Sequence, residues 1–240
     1  MSFKMLFLGS GGAFSKELGN SSSVLLKNEK PILLIDCGLS TFHSYKEIFQ
    51  DLPKAVFITH CHFDHIASLE MLLYACHFSE KEQLTKIFCP ADIIPSLQRI
   101  IGSFPNYIAE GSVNVWESVQ LIPVLDSFWL KGHKFNVFQG RHHHPKASFG
   151  LSLSGHFLFT GDTRPVPENI IEYASNNEVI FHDCSIESNP SHSGIEDIKR
   201  EYSQSYIDRM VFYHLDSFDS INILKEKGFN VASPNDKFSL

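Results

Sequence analysis

Thr59-His60-Cys61-His62-Phe63-Asp64-His65 places three imidazoles and one carboxylate within the six positions from His60 to His65. Packing alone gives no reason for such a density of nitrogen and oxygen donors. The run Ala55-Val56-Phe57-Ile58 leads into it, and an apolar-periodic segment from Ile66 to Phe78 leads out. That pattern predicts a buried strand, a short loop and a helix, and loops at strand ends are where α/β proteins place their chemistry. On a strand end His60 and His62, two apart, point to one side. Asp64 and His65 face the same pocket from beyond the bend. These donors suit zinc, and also manganese or iron. A structural zinc is not expected, because such sites favour closed, sulfur-rich coordination that Cys61 alone does not supply. The competing reading, a surface histidine cluster without an ion, fits poorly with the buried-type strand before it.

Further donors follow later strand-like runs. His142-His143-His144 comes after Lys134 to Phe138, Asp162 after His156 to Thr160, and His214 after Met210 to Tyr213. Each alone reads as a solvated loop residue. The repeated order of strand end then donor favours one shared site.

Around these points the chain opens with a strand over Lys4 to Leu8, stopped by Gly9-Ser10-Gly11-Gly12. That glycine run lacks the lysine and hydroxyl of a P-loop, and a tight turn near the pocket rim is the expectation. Strands over Ser22 to Leu26 and Ile32 to Ile35 follow, then Asp36-Cys37-Gly38 and a helix from about Ser40 to Phe49, with Ser40 or Thr41 as cap. Beyond the central motif come a strand at Ile87-Phe88-Cys89, a helix from Ala91 to Ile101 that tolerates Pro95 in its first turn, and strands over Val113 to Trp116 and Val119 to Val124. Phe149 to Leu153 and His156 to Thr160 flank Ser154-Gly155 as a hairpin. The last third alternates: helices near residues 168–175, 194–202 and 217–227, and strands over residues 178–181 and 209–213. No internal repeat stands out. Two mixed sheets packed together with helices outside fit this order better than one doubly wound sheet. The fold class is α/β (α+β), and the 240 residues form one domain.

A net charge of −7 argues against an extended nucleic-acid surface, though not against a small anion held by metals. Five scattered cysteines without a C-x-x-C pair point to a reducing, cytoplasmic setting rather than a disulfide framework. No charged-then-apolar leader opens the chain, and no apolar run reaches membrane-spanning length. No membrane association is expected.

His60-Cys61-His62-Phe63-Asp64-His65 resembles the H-x-H-x-D-H signature of the metallo-β-lactamase-fold hydrolases. Leu8-Gly9-Ser10-Gly11-Gly12, Ile35-Asp36-Cys37-Gly38, Phe159-Thr160-Gly161-Asp162-Thr163 and Phe212-Tyr213-His214 fall in the order that family shows. The resemblance implies a four-layer αββα sandwich of two mixed sheets holding two divalent metal ions, zinc first and manganese as the alternative. It implies His60, His62 and a histidine of the triple run on one ion, Asp64, His65 and His214 on the other, and Asp162 bridging. Of the three histidines, His144 is chosen because its distance to Ser148-Phe149-Gly150 resembles the phosphodiesterase branch, and His143 is next. Asp36 is expected as a buried group that orients ligands.

Two metals a few ångströms apart share a hydroxide nucleophile and clamp a substrate's oxygens, which suits phosphodiesters, lactones and β-lactams alike. Gly161-Asp162-Thr163-Arg164-Pro165 is similar to ribonuclease Z and to small cyclic-phosphodiester hydrolases. Phe181-His182-Asp183-Cys184-Ser185 with Ser191-His192-Ser193-Gly194 resembles the carboxylate and histidine those enzymes set opposite the metals. The catalytic set is therefore Asp64, His192 and Asp183, with His192 protonating the leaving oxygen; a polar residue at a helix start is the competing role for His192. Asp183 departs from the glutamate of ribonuclease Z. The long Gly/Pro-rich arm of bacterial ribonuclease Z has no counterpart here, so the expected substrate is a small cyclic nucleotide or other cyclic phosphodiester. A tRNA 3′-processing nuclease, a lactonase or thioesterase, and a non-catalytic nucleotide-binding protein are the alternatives. The resemblance also implies a homodimer. Phe128-Trp129 and Phe104-Pro105-Asn106-Tyr107 are candidates for a lid or interface, with ordinary core aromatics the competing reading.

Overall fold

Apolar side chains on both faces place the opening strands inside a layered protein. β1 (Phe3–Gly9), β2 (Ser22–Lys27) and β3 (Lys30–Ile35) form an antiparallel meander in a computed structural model that describes residues 2–79, 84–104, 106–109 and 111–240. The β2–β3 turn is Asn28-Glu29, with φ of 50° and 62°, the left-handed pair that a two-residue hairpin needs. Pro31 therefore lies inside β3, beside a register shift at Leu25/Leu26 that spares it an N–H it lacks.

After β3 come α1 (Thr41–Phe49) and β4 (Ala55–Phe57), parallel to β3. Ser40 does not cap α1 with its side chain; its hydroxyl accepts from the Asn20 amide at 3.0 Å. The expected helix over residues 66–78 is two pieces, α2 (Phe63–Ile66) and α3 (Leu69–His77). The break has a visible cause. Cys37 N donates to His65 O at 2.7 Å and Ser68 N donates to Cys37 O at 3.0 Å, so the Asp36–Gly38 turn takes over bonds that a continuous helix would make. Gly38 permits this approach, since a Cβ there would lie 1.8 Å from Asp64 O.

β5 (Thr85–Pro90), a 3₁₀ turn (Ala91–Ile93), α4 (Ile94–Ile101), the short pair β6 (Asn106–Ile108) and β7 (Gly111–Val113), α5 (Val115–Ser118) and β8 (Val119–Val124) complete the first half. Of the expected strand over residues 113–116 only Val113 is in a strand, and α5 takes over from Val115. Asn114 caps α5, its side chain accepting from Trp116 N at 3.0 Å, and this local bond overrides the β-branched sequence.

The second half runs β9 (Ser127–Leu130), β10 (His133–Gln139), β11 (Phe149–Leu153), β12 (Phe157–Phe159), α6 (Pro167–Tyr173), β13 (Val179–Asp183), α7 (Ile195–Glu201), α8 (Gln204–Ile207), β14 (Met210–Tyr213), α9 (Phe218–Glu226), β15 (Asn230–Val231) and β16 (Lys237–Ser239). Among the described residues the sheet orders are β16-β1-β2-β3-β4-β5-β8 and β15-β14-β13-β12-β11-β10-β9, seven strands each. Each half is an antiparallel meander that continues into parallel strands.

The inner faces meet in one apolar core containing Phe7, Phe57, Phe157 and Phe181, and a second cluster beneath α6, α7 and α9 includes Ile170, Ile198, Phe212 and Leu224. The result is the four-layer αββα sandwich. Phe128 belongs to that core, stacked on Phe88 with ring centroids 4.2 Å apart and on Phe135 at 5.1 Å. It is not a lid residue. Its neighbour Trp129 is exposed, Phe104 packs against the core, and Pro105 lies outside the described residues. β3, β4, β10, β12, β13 and β14 all end at one rim. There the sheets are tied by Phe149 N to Thr59 O at 3.0 Å and by His214 N to Ser10 O at 2.8 Å.

Candidate metal centre

The rim collects donors that follow β4, β10, β12 and β14. His60 Nε2 and His142 Nε2 each lie 3.0 Å from His62 Nδ1, so three ring nitrogens point at one small volume. A second set adjoins it. His65 Nε2 is 3.3 Å from Asp64 Oδ2, and His214 Nε2 is 3.2 Å from the same oxygen. Asp162 Oδ2 stands between the sets, 3.2 Å from His65 Nε2, 3.1 Å from His214 Nε2 and 3.7 Å from His60 Nε2.

The surrounding bonds decide which nitrogen of each ring faces inward. Asp36 accepts from Thr59 N at 2.8 Å, from Thr59 Oγ1 at 2.7 Å and from His65 Nδ1 at 2.7 Å. His65 therefore keeps its proton on Nδ1 toward Asp36, and its buried Nε2 has no hydrogen-bond partner among the described residues. Because Thr59 Oγ1 donates to Asp36, it accepts from His60 Nδ1 at 3.0 Å and leaves His60 Nε2 aimed at the centre. His142 Nδ1 donates to Ser191 O at 2.8 Å with the same effect. Such partners are what orient metal-binding imidazoles. Asp36 and His214 hold φ of 61° and 71°, a conformation uncommon outside glycine and one that gathers at functional sites. Gly12 lets the opening turn pass closely over His214, since a Cβ there would lie 3.0 Å from the imidazole.

Electrostatics sort the two sets. Burial, joined by neighbouring imidazoles, depresses His60 and His62, and it brings His142 down to about 4. These rings are neutral, as a metal ligand must be. Burial alone would raise Asp64 and Asp162, but His214 and His65 outweigh it and hold both carboxyls well below their usual range. Burial would likewise depress His65 and His214, yet Asp162 prevails and holds both far above the ordinary imidazole value. Buried anionic oxygens neutralised only by imidazole protons are a place for cations. The unpartnered Asp162 Oδ1 and His65 Nε2 agree, so the residues fit two divalent ions.

The structure therefore brings together His60, His62, Asp64, His65, Asp162 and His214, and it does not bring in His144. That ring is exposed and its Nδ1 donates to Pro145 O at 2.7 Å. His142, 3% exposed, takes the place expected for it. The turn explains why. Gly140 N bonds to Ser148 O at 2.9 Å and Arg141 N to Thr163 Oγ1 at 2.8 Å, which aims position 142 inward, and His143, at φ 49°, turns the chain back out. Position in the loop is a usable signal. His60, Asp162 and His142 each stand three residues past their strand end. Sequence reading also missed Thr59, the link between Asp36 and His60.

Across the cleft His192 Nδ1 donates to Asp183 Oδ2 at 2.8 Å, and Thr163 N donates to the same oxygen at 2.8 Å. His192 stacks on His214 with centroids 4.7 Å apart. Burial would lower His192, but Asp183 outweighs it and raises the imidazole.

Two mixed sheets with a donor set at their shared rim define a metallo-β-lactamase-fold hydrolase. YhfI of Bacillus subtilis, a protein of this fold, superposes with a TM-score of 0.79 at 16% identity, with all of both chains covered. A diphosphatase of the PhnP family gives 0.76 at 15%, covering 99% of this chain and 98% of that one. Within the fold, the chain belongs to the family described as anti-Pycsar protein Apyc1, whose model matches residues 3–232. The Apyc1 protein of Paenibacillus harenae is 24% identical over 184 residues, covering 75% of this chain and 76% of its own. Ribonuclease Z of Haloarcula marismortui is 26% identical over 233 residues, covering 77% and 75%.

Proposed function

We propose that the protein is a dinuclear metal-dependent phosphodiesterase that hydrolyses a small cyclic nucleotide or related cyclic phosphodiester. The observation that carries this reading is the convergence of two donor sets on Asp162 with the His192–Asp183 pair beside them. Two divalent ions, zinc first and manganese as the alternative, would supply an acidified water and neutralise phosphate charge.

The chain's own residues do the rest. Asp162 joins the two sets, and Asp64 fixes the second through His65 and His214. Asp183 holds His192 by Nδ1, which leaves Nε2 to carry the proton that the departing alkoxide oxygen needs. Cavities of about 640 Å³ and 550 Å³ flank the centre, one beside His62 and Arg99, the other beside His192 and Phe14. The similarity to a ribonuclease and to a diphosphatase of the PhnP family supports a phosphoester substrate. A homodimer belongs to the same proposal, because Phe14, 95% exposed at the rim, is an apolar side chain that a second copy would cover. Five free thiols, four of them buried, are consistent with a reducing cytoplasm.

The test assays bis-para-nitrophenyl phosphate, cyclic mono- and dinucleotides, a precursor tRNA and a lactone side by side. Activity on a small phosphodiester, abolished by chelator and restored by zinc or manganese, is expected. Full activity in a His62→Ala/Asp162→Ala variant, or turnover of the lactone or tRNA alone, would overturn the proposal.

A further inference from the structure

One large cavity lies away from the metal centre. It measures about 1110 Å³ and opens where β4, β5 and β8 begin, lined by Lys54, Leu84, Lys86, Trp116, Leu121 and Lys131 among others. The donors His60 to His65 sit past the opposite end of β4. At roughly 3.3 Å per residue, the length of β5 alone separates the two places by about 16 Å. The cavity is therefore not an arm of the hydrolytic cleft. Its walls come from both sheets, since Lys131 follows β9 while the rest belong to the first half. Its size slightly exceeds the usual range of small-molecule sites, so a ligand would fill only part of it.

The lining has a definite chemical character. Trp116 is half-buried and offers an indole, with Leu84 and Leu121 also contributing to the wall. Lys54, Lys86 and Lys131 are exposed at the margin, and among the described residues none of the three has an ion-pair partner. Among the described residues, Asp51 is the one acidic side chain in the lining. An excess of cations here runs against a chain of net charge −7. An aromatic wall beside unpaired ammoniums fits a ligand with a flat apolar body and an anionic end.

We propose that this cavity is a binding site for a small aromatic anion, separate from the metal centre. The ring system lies against Trp116 and the leucines, and the anionic group meets the lysines. Nothing in this depends on the proposed hydrolysis.

The full-length protein permits a direct test. Trp129→Phe leaves Trp116 as the one tryptophan, because the chain has two. Titration with 8-anilinonaphthalene-1-sulfonate, read by quenching of Trp116, is expected to be saturable with one site. Lys54→Gln/Lys86→Gln/Lys131→Gln should weaken it about tenfold while thermal unfolding is unchanged, since all three side chains are exposed. The uncharged N-phenyl-1-naphthylamine should also bind about tenfold more weakly than the sulfonate. His62→Ala should leave sulfonate binding within about twofold. Unsaturable quenching, equal binding of the neutral amine, indifference to the lysine changes, or loss of binding in His62→Ala would each overturn the proposal.

Discussion

His142 and His144 are two positions apart and chemically identical, yet only one faces the centre. The difference lies in the bonds of Gly140 and Arg141 to Ser148 and Thr163, which set the direction of the chain before position 142 is reached. His142→Ala is expected to lower bound metal, measured by elemental analysis, and to reduce turnover by about 100-fold or more, whereas His144→Ala changes each less than about twofold. The reverse pattern would reassign the ligand. Thr59 acts at the same scale. One hydroxyl donates to Asp36 and accepts from His60, so it ties an imidazole of the first donor set to the buried carboxylate that holds His65 of the second.

At the scale of elements, short connections hold the strand ends in place. Glu178, just before β13, is buried and accepts from Gly155 N at 3.0 Å and Asn176 N at 2.8 Å, pinning the β11–β12 turn to β13. Burial would raise its carboxyl, but these hydrogen bonds prevail and lower it. A group depressed in the folded state contributes stability above the unfolded carboxylate range, and that contribution disappears as pH falls through its folded value. Glu178→Gln is therefore expected to cost about 1–2 kcal/mol at neutral pH by denaturant titration, with the gap to the parent protein closing below about pH 4. A gap constant with pH would show that packing, not charge, is lost. The split between α2 and α3 is the other instructive element. Its apolar periodicity reads as one helix, and the break is imposed by a turn nearly thirty residues earlier in the chain, that of Cys37 and Gly38.

At the scale of the molecule, the donors come from both sheets: His60, His62, Asp64 and His65 from the first, His142, Asp162 and His214 from the second. Ions held there would act as a clamp across the sandwich. Each ion present at about a thousand times its Kd adds about 4 kcal/mol, which for a domain of this size is about 10 °C in Tm. Calorimetry of chelator-treated protein before and after zinc or manganese should show at least that rise in the parent chain and none in His62→Ala/Asp162→Ala. An equal rise in the variant would place the ions elsewhere.

The sequence by itself determined the motif from His60 to His65, the order of strand ends, and six of the seven donors, because those depend on residue type and on local periodicity. The helix α5 at Val115–Ser118, the break after Ile66, the place of Phe128 in the core and the choice of His142 were decided only by the tertiary structure. Each of these turns on a hydrogen bond or a stacking contact between segments, or on one capping side chain competing with β propensity. The resemblance of the two halves is also tertiary: each runs from meander to parallel strands, with no repeat to be read along the chain, because strand direction is written in connections and not in side chains. The convergence around Asp162 is of the same kind, since only folding brings a loop after β4 within hydrogen-bond distance of residues more than eighty positions away.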